Sequence, residues 1–327
     1  MNPRTLLVTG CSRGIGLAVI RRLLDEGHAV IGVSRQHPDV GDTGFIHVSL
    51  DLSDLQRLPE QLAEIAKSHP QIDGLVLNAG MGRFGALEQF SAAQVRQLID
   101  LNLTSQVLIA RAFLPKLKHR GAGDLVFVGS EAAIKGGRNG AVYSATKFAL
   151  RGLAQALQEE CSASGVRVGI INPGMVNTSF YDELDFQPGV EQDQHLEAGD
   201  VADAVAVAVV HQRSVHDSVA VHVDREATAR AQRHVRSPGR DRARVLDPGG
   251  HQNDRARAGG DRAGLVGGGV RDRQHAAALL EIGQQLHQAI ERGVGLIIQS
   301  DLSLPLEDGR SQLDVVEPIL DVVPVER

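Results

Sequence analysis

Between Thr5 and Ile171 short apolar runs alternate with longer segments of helical spacing, and no other feature constrains the fold as much. Thr5–Thr9, Ala29–Val33, Phe45–Val48, Leu75–Leu77, Leu125–Val128 and Val166–Ile171 read as strands. Between them lie predicted helices. Gly14–Glu26 places Ile15, Ala18, Val19, Leu23 and Leu24 on one face, and Gly27 stops it. Leu55–Ser68, Ala92–Leu114 and Val142–Ala163 follow. Strands that are apolar throughout suit burial on both faces, and a helix between two strands returns the chain to the same end of a sheet. The predicted fold is α/β, a doubly wound and mainly parallel sheet. Such sheets bind ligands at the carboxyl ends of their strands, so chemistry is sought there.

The first strand ends in Thr9-Gly10-Cys11-Ser12-Arg13-Gly14-Ile15-Gly16. Glycines between a strand and a helix let the backbone turn sharply and approach a pyrophosphate lying on the helix N-terminus. The second strand ends in Ser34-Arg35, where an NAD-binding unit commonly carries an acidic residue for the ribose hydroxyls. Two guanidinium groups, Arg13 and Arg35, suit a ribose 2′-phosphate instead. NADP(H) is the preferred cofactor on this reading, with NAD(H) left open. The alternative is that both arginines are solvated surface charges.

Tyr143 and Lys147 stand one helical turn apart and share a face. A free tyrosine titrates near ~10, too high for acid–base work at neutral pH, and a nearby ammonium favours the phenolate. Alone, the pair is more often an ordinary helix face. Ser130 follows the Leu125–Val128 strand. Asn102 is a polar amide among Leu98, Ile99, Leu103, Val107 and Leu108, and it either serves the site or faces solvent.

Together these residues resemble the short-chain dehydrogenase/reductase family, with its Rossmann-like fold. The match comprises the Thr9–Gly16 turn, Asp51, Asn78-Ala79-Gly80, Asn102, Ser130, Tyr143 with Lys147, and Pro173-Gly174-Met175-Val176-Asn177-Thr178. It spans about Thr5 to Val223. The resemblance implies an NADP(H)-dependent enzyme interconverting a carbonyl and an alcohol. Tyr143 would be the general acid or base, Ser130 would hold the carbonyl oxygen, and Lys147 would hold the nicotinamide ribose and depress the Tyr143 pKa. Asn102 would position a water behind Lys147. The cofactor would rest on Gly10, Ser12, Arg13, Gly14, Ile15 and Gly16, then on Ser34 and Arg35. Asp51 with Leu52, Asn78, Ala79 and Gly80 would take its adenosine side, and Pro173, Gly174, Val176 and Thr178 its nicotinamide side. The segment from Ser179 occupies the place of the family's substrate loop. Phe180, Tyr181, Leu184 and Phe186 there are either an apolar lid or rings packing the loop on the sheet. Met81, Arg83 and Phe84 are further pocket candidates. The resemblance also implies a homodimer or homotetramer built on the two long helices. A regulatory protein with the same fold and little turnover is the alternative, but a pure sensor has no need of the acid.

The charge balance, 34 Lys+Arg against 40 Asp+Glu for a net −6, gives no basic footprint for nucleic acid or membrane. The expected partner is a small carbonyl or alcohol. Two cysteines, Cys11 and Cys161, make neither a disulfide framework nor a usual zinc site, so no metal and a cytoplasmic setting are expected.

Composition changes sharply along the chain. Lysine ends at Lys147 and aromatic residues end at Phe186, while residues 225–275 hold twelve Arg and nine Gly. The expected division is a dinucleotide-binding domain over 1–224 and an atypical Arg/Gly-rich extension over 225–327 with little order. Within the extension, Ala276–Arg292 has helical spacing and Val294–Ile298 reads as a strand. The extension is a disordered tail, a partner-binding segment, or GC-rich DNA translated out of frame. The loss of Lys and aromatics favours the last two, and most of all the shifted frame.

Overall fold

The computed structural model describes residues 3–191, 194–211, 220–224 and 295–299. In chain order the elements are β1 (Thr5–Thr9), α1 (Gly14–Asp25), β2 (Ala29–Ser34), β3 (Phe45–Ser49), α2 (Leu58–Ser68) and β4 (Gly74–Leu77). Then come α3 (Ala92–Ile99), α4 (Ser105–Arg120), β5 (Gly123–Val128), α5 (Ala141–Cys161) and β6 (Val166–Pro173). Two short strands, β7 (Val176–Asn177) and β8 (Leu196–Glu197), pair with each other ahead of α6 (Ala198–Ala206). β9 (Ala220–Asp224) and β10 (Gly295–Gln299) complete the set.

The main sheet has the order β10-β9-β6-β5-β4-β1-β2-β3. Every neighbouring pair is parallel except β9 with β10. The chain winds outward from β1 to β3, then returns to place β4 on the other side of β1. That reversal opens a crevice above the carboxyl ends of β1 and β4, the usual ligand position in such sheets.

Because successive strand residues face opposite sides, Leu6 and Leu7 enter different cores. Leu7, Ile31, Leu75 and Phe127 pack with Leu62 of α2, Phe113 of α4 and Leu150 of α5. Leu6, Val8, Val76 and Val126 pack with Val19 and Leu23 of α1 and with Val201 and Val205 of α6. Both faces of the inner sheet are thus covered, which explains why β1 and β4 read as apolar runs rather than alternating, while the edge strand β3 stays partly exposed.

Some expected boundaries move. The helix predicted from Leu55 begins at Leu58, because Asp51 to Leu55 is tied into turns in which Ser53 N donates to Asp51 Oδ1. The predicted Ala92–Leu114 helix runs on through Pro115 to Arg120, where Gly121 ends it at φ 70°. It is also broken by a turn of π-helix at Asp100–Thr104. The last parallel strand lies at Ala220–Asp224 beside β6. The strand expected at Val294–Ile298 lies at Gly295–Gln299, antiparallel to β9. The predicted Ala276–Arg292 helix and the Arg/Gly-rich stretch lie outside the described residues. No helix among the described residues is long and apolar enough to cross a membrane.

Candidate active site

At the carboxyl ends of the strands a single cavity of about 1030 Å³ runs from the β1–α1 turn to the segment after β7. Its floor is the glycine turn. Gly10 and Gly14 adopt left-handed φ of 68° and 56°. A Cβ on Gly16 would lie 2.2 Å from Gly10 O, so α1 approaches the turn in a way no larger residue permits. Arg13, the N-cap of α1, makes no side-chain capping bond, and the first helical turn carries no acidic residue. Unspent N–H groups at that end suit an anion.

The turn is fixed from β4. Thr9 Oγ1 accepts the backbone N–H of Asn78 (3.0 Å) and of Ala79 (3.1 Å). Asn78 Nδ2 donates to the carbonyls of Thr9 and Gly10. Gln106 Nε2 donates to Ala79 O at 2.9 Å from a fully buried position on α4. Neither Thr9 nor Gln106 was singled out from the sequence. Gln106 was legible as the residue one turn beyond Asn102, on the same face.

Ser12, Arg13, Gly14 and Ile15 line one end of the cavity with Ser34, Arg35, Asp51 and Leu52. Arg13 and Arg35 are exposed. Ser34 is buried, and its hydroxyl lies within hydrogen-bonding reach of Gln36 O, His47 and Cys11. Hydrogen bonds from Ser53 hold the Asp51 carboxyl below its ordinary range, and Arg35 adds a smaller pull. Asn78, Ala79 and Gly80 border the middle of the cavity. Pro173, Gly174, Val176 and Thr178 form the opposite wall, and a Cβ on Gly14 would touch Thr178 at 3.4 Å.

Ser130, Tyr143 and Lys147 meet at the other end. Tyr143 and Lys147 are 8% and 5% exposed. Burial pushes the Tyr143 phenol well up, a hydrogen bond with Ser130 draws it partway back, and the nearby Tyr181 and Glu131 push it further up. Burial also lowers Lys147 to about 8. The expected depression of Tyr143 by Lys147 is not what this geometry produces. Lys147 Nζ donates to Val128 O at 3.0 Å and stands 5.7 Å from the Tyr143 ring centroid, so burial dominates.

Asn102 is fully buried rather than solvent-facing. It lies in the π-helical turn, a distortion often found at functional sites. Its Oδ1 accepts Met81 N–H at 2.8 Å, while Nδ2 donates to Met81 O at 2.9 Å and to Thr146 Oγ1 at 3.4 Å. Asn102 thereby ties the loop after β4 to α5. It and Gly16 do not line the cavity; the other predicted site residues do. Asn172 was not anticipated: its Oδ1 accepts Ser130 N–H at 3.3 Å and would sit 2.1 Å from a Cβ on Gly129. Gly129 is therefore what lets Asn172 reach the strand end that carries Ser130. Its signal was a polar residue directly after the apolar run Val168–Ile171.

A doubly wound sheet with a glycine-floored crevice leading to Ser130 and the buried Tyr143 and Lys147 is the architecture of a nucleotide-binding α/β oxidoreductase. The family model described as short chain dehydrogenase matches residues 4–188, more than half of the chain. The chain belongs to the short-chain dehydrogenase/reductase family. An uncharacterised oxidoreductase of Staphylococcus epidermidis is 28% identical over 222 residues, covering 66% of this chain and 95% of its own. A 3-oxoacyl-(acyl-carrier-protein) reductase of Buchnera aphidicola is 27% identical over 237 residues, covering 68% and 97%. Among solved structures, a candidate NAD(P)-dependent gluconate 5-dehydrogenase of Beutenbergia cavernae, with bound NADP, is 27% identical at a TM-score of 0.58, covering 63% and 89%.

Proposed function

We propose that the protein is an NADP(H)-dependent oxidoreductase that interconverts a carbonyl and an alcohol, with Tyr143 as general acid or base. The observation that carries this reading is the single cavity joining the glycine turn and two arginines to Ser130, Tyr143 and Lys147. The residues fit a dinucleotide: the Gly10–Gly16 contact leaves no room for side chains, and the α1 N-terminus is uncapped. Arg13 and Arg35, exposed on the adenosine end, favour a 2′-phosphate. The NADP-bound relative is consistent with that preference.

When bound, the nicotinamide supplies a hydride to the carbonyl carbon or accepts one from the alcohol carbon. The chain's own residues handle the oxygen and its proton. A carbonyl oxygen lying between Ser130 and Tyr143 accepts a hydrogen bond from each hydroxyl, which stabilises charge developing on that oxygen. Burial keeps the Tyr143 proton in place at neutral pH, so the acid needed for reduction is ready. Once the proton has left, Lys147 and Ser130 are the groups beside the phenolate. Lys147, titrating at about 8, is mostly charged at neutral pH. Asn102 would act at one remove, through the Met81 backbone and Thr146. Assembly as a homodimer or homotetramer through α4 and α5 is part of the same proposal, supported by Val107 and Phe148 lying exposed on those helices.

The test is oxidation of NADPH in the presence of carbonyl compounds, followed by absorbance for the wild type and for Tyr143→Phe. Turnover that survives in the variant would overturn the assignment.

A further inference from the structure

The chain has ten aromatic residues, eight Phe and two Tyr. Five of them gather at the Tyr143 end of the cavity, whereas the cores of the sheet use Phe113 and Phe127. The five come from three separate segments: Phe84 after β4, Tyr143 on α5, and Phe180, Tyr181 and Phe186 after β7. Phe84 stands 5.1 Å from the Tyr143 ring centroid and 4.9 Å, edge on, from Phe186. Phe180 lies 6.1 Å from Tyr143 and 5.2 Å from Tyr181, and Tyr181 lies 5.7 Å from Phe186. These rings do not merely seat the loop on the sheet; two of them face the residue that would handle the proton.

The loop is itself two-sided. Tyr181 is buried and Leu184 half-buried, while Asp182, Glu183 and Asp185 between and after them are exposed. Gly82 is part of the same construction, since a Cβ there would lie 2.5 Å from the Phe180 ring. The hydroxyl groups nearest the reacting position, Ser130 and Tyr143, are committed to the carbonyl oxygen. Arg83, Arg138, Asn139 and Asp182 also line this cavity, so only a hydroxyl directed at Phe84, Phe180 or Phe186 would meet a ring face. A buried hydroxyl without a partner weakens binding by roughly tenfold or more, whereas a flat apolar body gains edge-to-face and stacked contacts.

We propose that the substrate of this site carries its carbonyl on a flat apolar body, an aryl or fused-ring ketone, held among Phe84, Phe180, Tyr181 and Phe186. The proposal rests on the oxidoreductase reading above and specifies its substrate class. The test compares three ketones with the full-length protein and NADPH: acetonaphthone, butanone and fructose. Expected is a kcat/KM for acetonaphthone at least about tenfold above that for fructose, the measure of one hydroxyl left against the rings. Phe180→Ala, and separately Gly82→Ala, should lower the acetonaphthone-to-butanone ratio of kcat/KM about tenfold. Using a ratio cancels any general loss of active protein. Fructose turned over as efficiently as acetonaphthone, or a ratio unmoved in both variants, would overturn the substrate class while leaving the oxidoreductase reading standing. If NADPH binds, as read by its fluorescence, yet acetonaphthone is not turned over, the substrate class falls while the oxidoreductase reading stands; a protein that binds neither NADPH nor NADH would instead remove the oxidoreductase reading.

Discussion

Gly16→Ala isolates the contact on which the cofactor reading depends. The new Cβ would lie 2.2 Å from Gly10 O, 2.7 Å from Asn78 Nδ2 and 2.8 Å from Gly10 C. Real Cβ atoms essentially never come under 3.0 Å, so α1 and the turn must separate by about 0.8 Å. Two of the three obstacles are backbone, and Asn78 is held by its own bonds to Thr9 and Gly10, so neither side yields cheaply. Overpacking of this kind costs about 1–3 kcal/mol. The entropy that alanine saves is at most ~1 kcal/mol, leaving a net loss of about 1–2 kcal/mol. For a chain of this size that is a fall of several degrees in Tm. Gly199→Ala is the matched control: it lies in the first turn of α6, is exposed, and has nothing within 4 Å of its Cβ. It should leave Tm unchanged or slightly raised. The same displacement moves the α1 N-terminus away from an anion, and NADPH affinity in Gly16→Ala should fall about tenfold or more by fluorescence titration. A Gly16→Ala protein matching the Gly199→Ala control in both Tm and NADPH affinity would refute the argument.

Three further outcomes are expected. Tyr143→Phe keeps the ring against Phe84 and Phe180 but removes the proton; kcat should fall by about 10²–10⁴ while NADPH binding, measured by titration, is retained. Arg35→Asp should move the ratio of catalytic efficiencies from NADP(H) toward NAD(H), and an unchanged ratio in both this variant and an Arg13→Ala variant would remove the basis for the preference. Lys147 titrates at about 8 when folded against 10.5 ordinarily, so between those pH values the unfolded chain holds this proton and the folded chain sheds it. The stability of the wild type relative to Lys147→Met should therefore rise with pH across that window, as read from urea midpoints, and a constant difference would refute the burial of a charged Lys147.

The fold was legible because its inner strands are buried on both faces. β1 was placed to the residue, and β2, β5 and α5 to within two, since an apolar run between glycines or polar turns has few other uses; β3, at the sheet edge and partly exposed, was placed from Phe45, Ile46 and Val48 despite His47. The misses have local causes. The helix expected to stop at Leu114 continues through Pro115 because its apolar face extends to Leu117, which is buried, and packing there outweighs one lost backbone bond. The π-helical turn left no mark in the apolar spacing, because it adds a residue to a turn without changing which side chains are apolar. Asn102 was conspicuous for its polarity, yet its partner is the backbone of Met81, and backbone partners carry no residue type to recognise. Thr9 and Asn172 escaped for the same reason: each bonds main-chain N–H groups across strands.

The Tyr143–Lys147 pair shows what spacing alone leaves undetermined. A separation of four residues on a helix places two side chains on one face but does not say where a flexible ammonium points. Here it points to the Val128 carbonyl at the end of β5, and the helix brings both residues beneath the crevice, where water is excluded. Exclusion of water acts on the two groups in opposite senses, because each resists its charged form: the phenol goes up and the ammonium comes down. The described site therefore holds the tyrosine proton, which suits carbonyl reduction. Alcohol oxidation needs that proton gone. Lys147 Nζ stands 5.7 Å from the Tyr143 ring centroid, so on the proposed mechanism the oxidative direction depends on this lysine remaining charged while the phenol ionises. The two requirements conflict above about pH 8, where Lys147 begins to lose its proton. For the same pair of residues, reduction is expected to be insensitive to pH below that point, and oxidation to rise toward it and then level off.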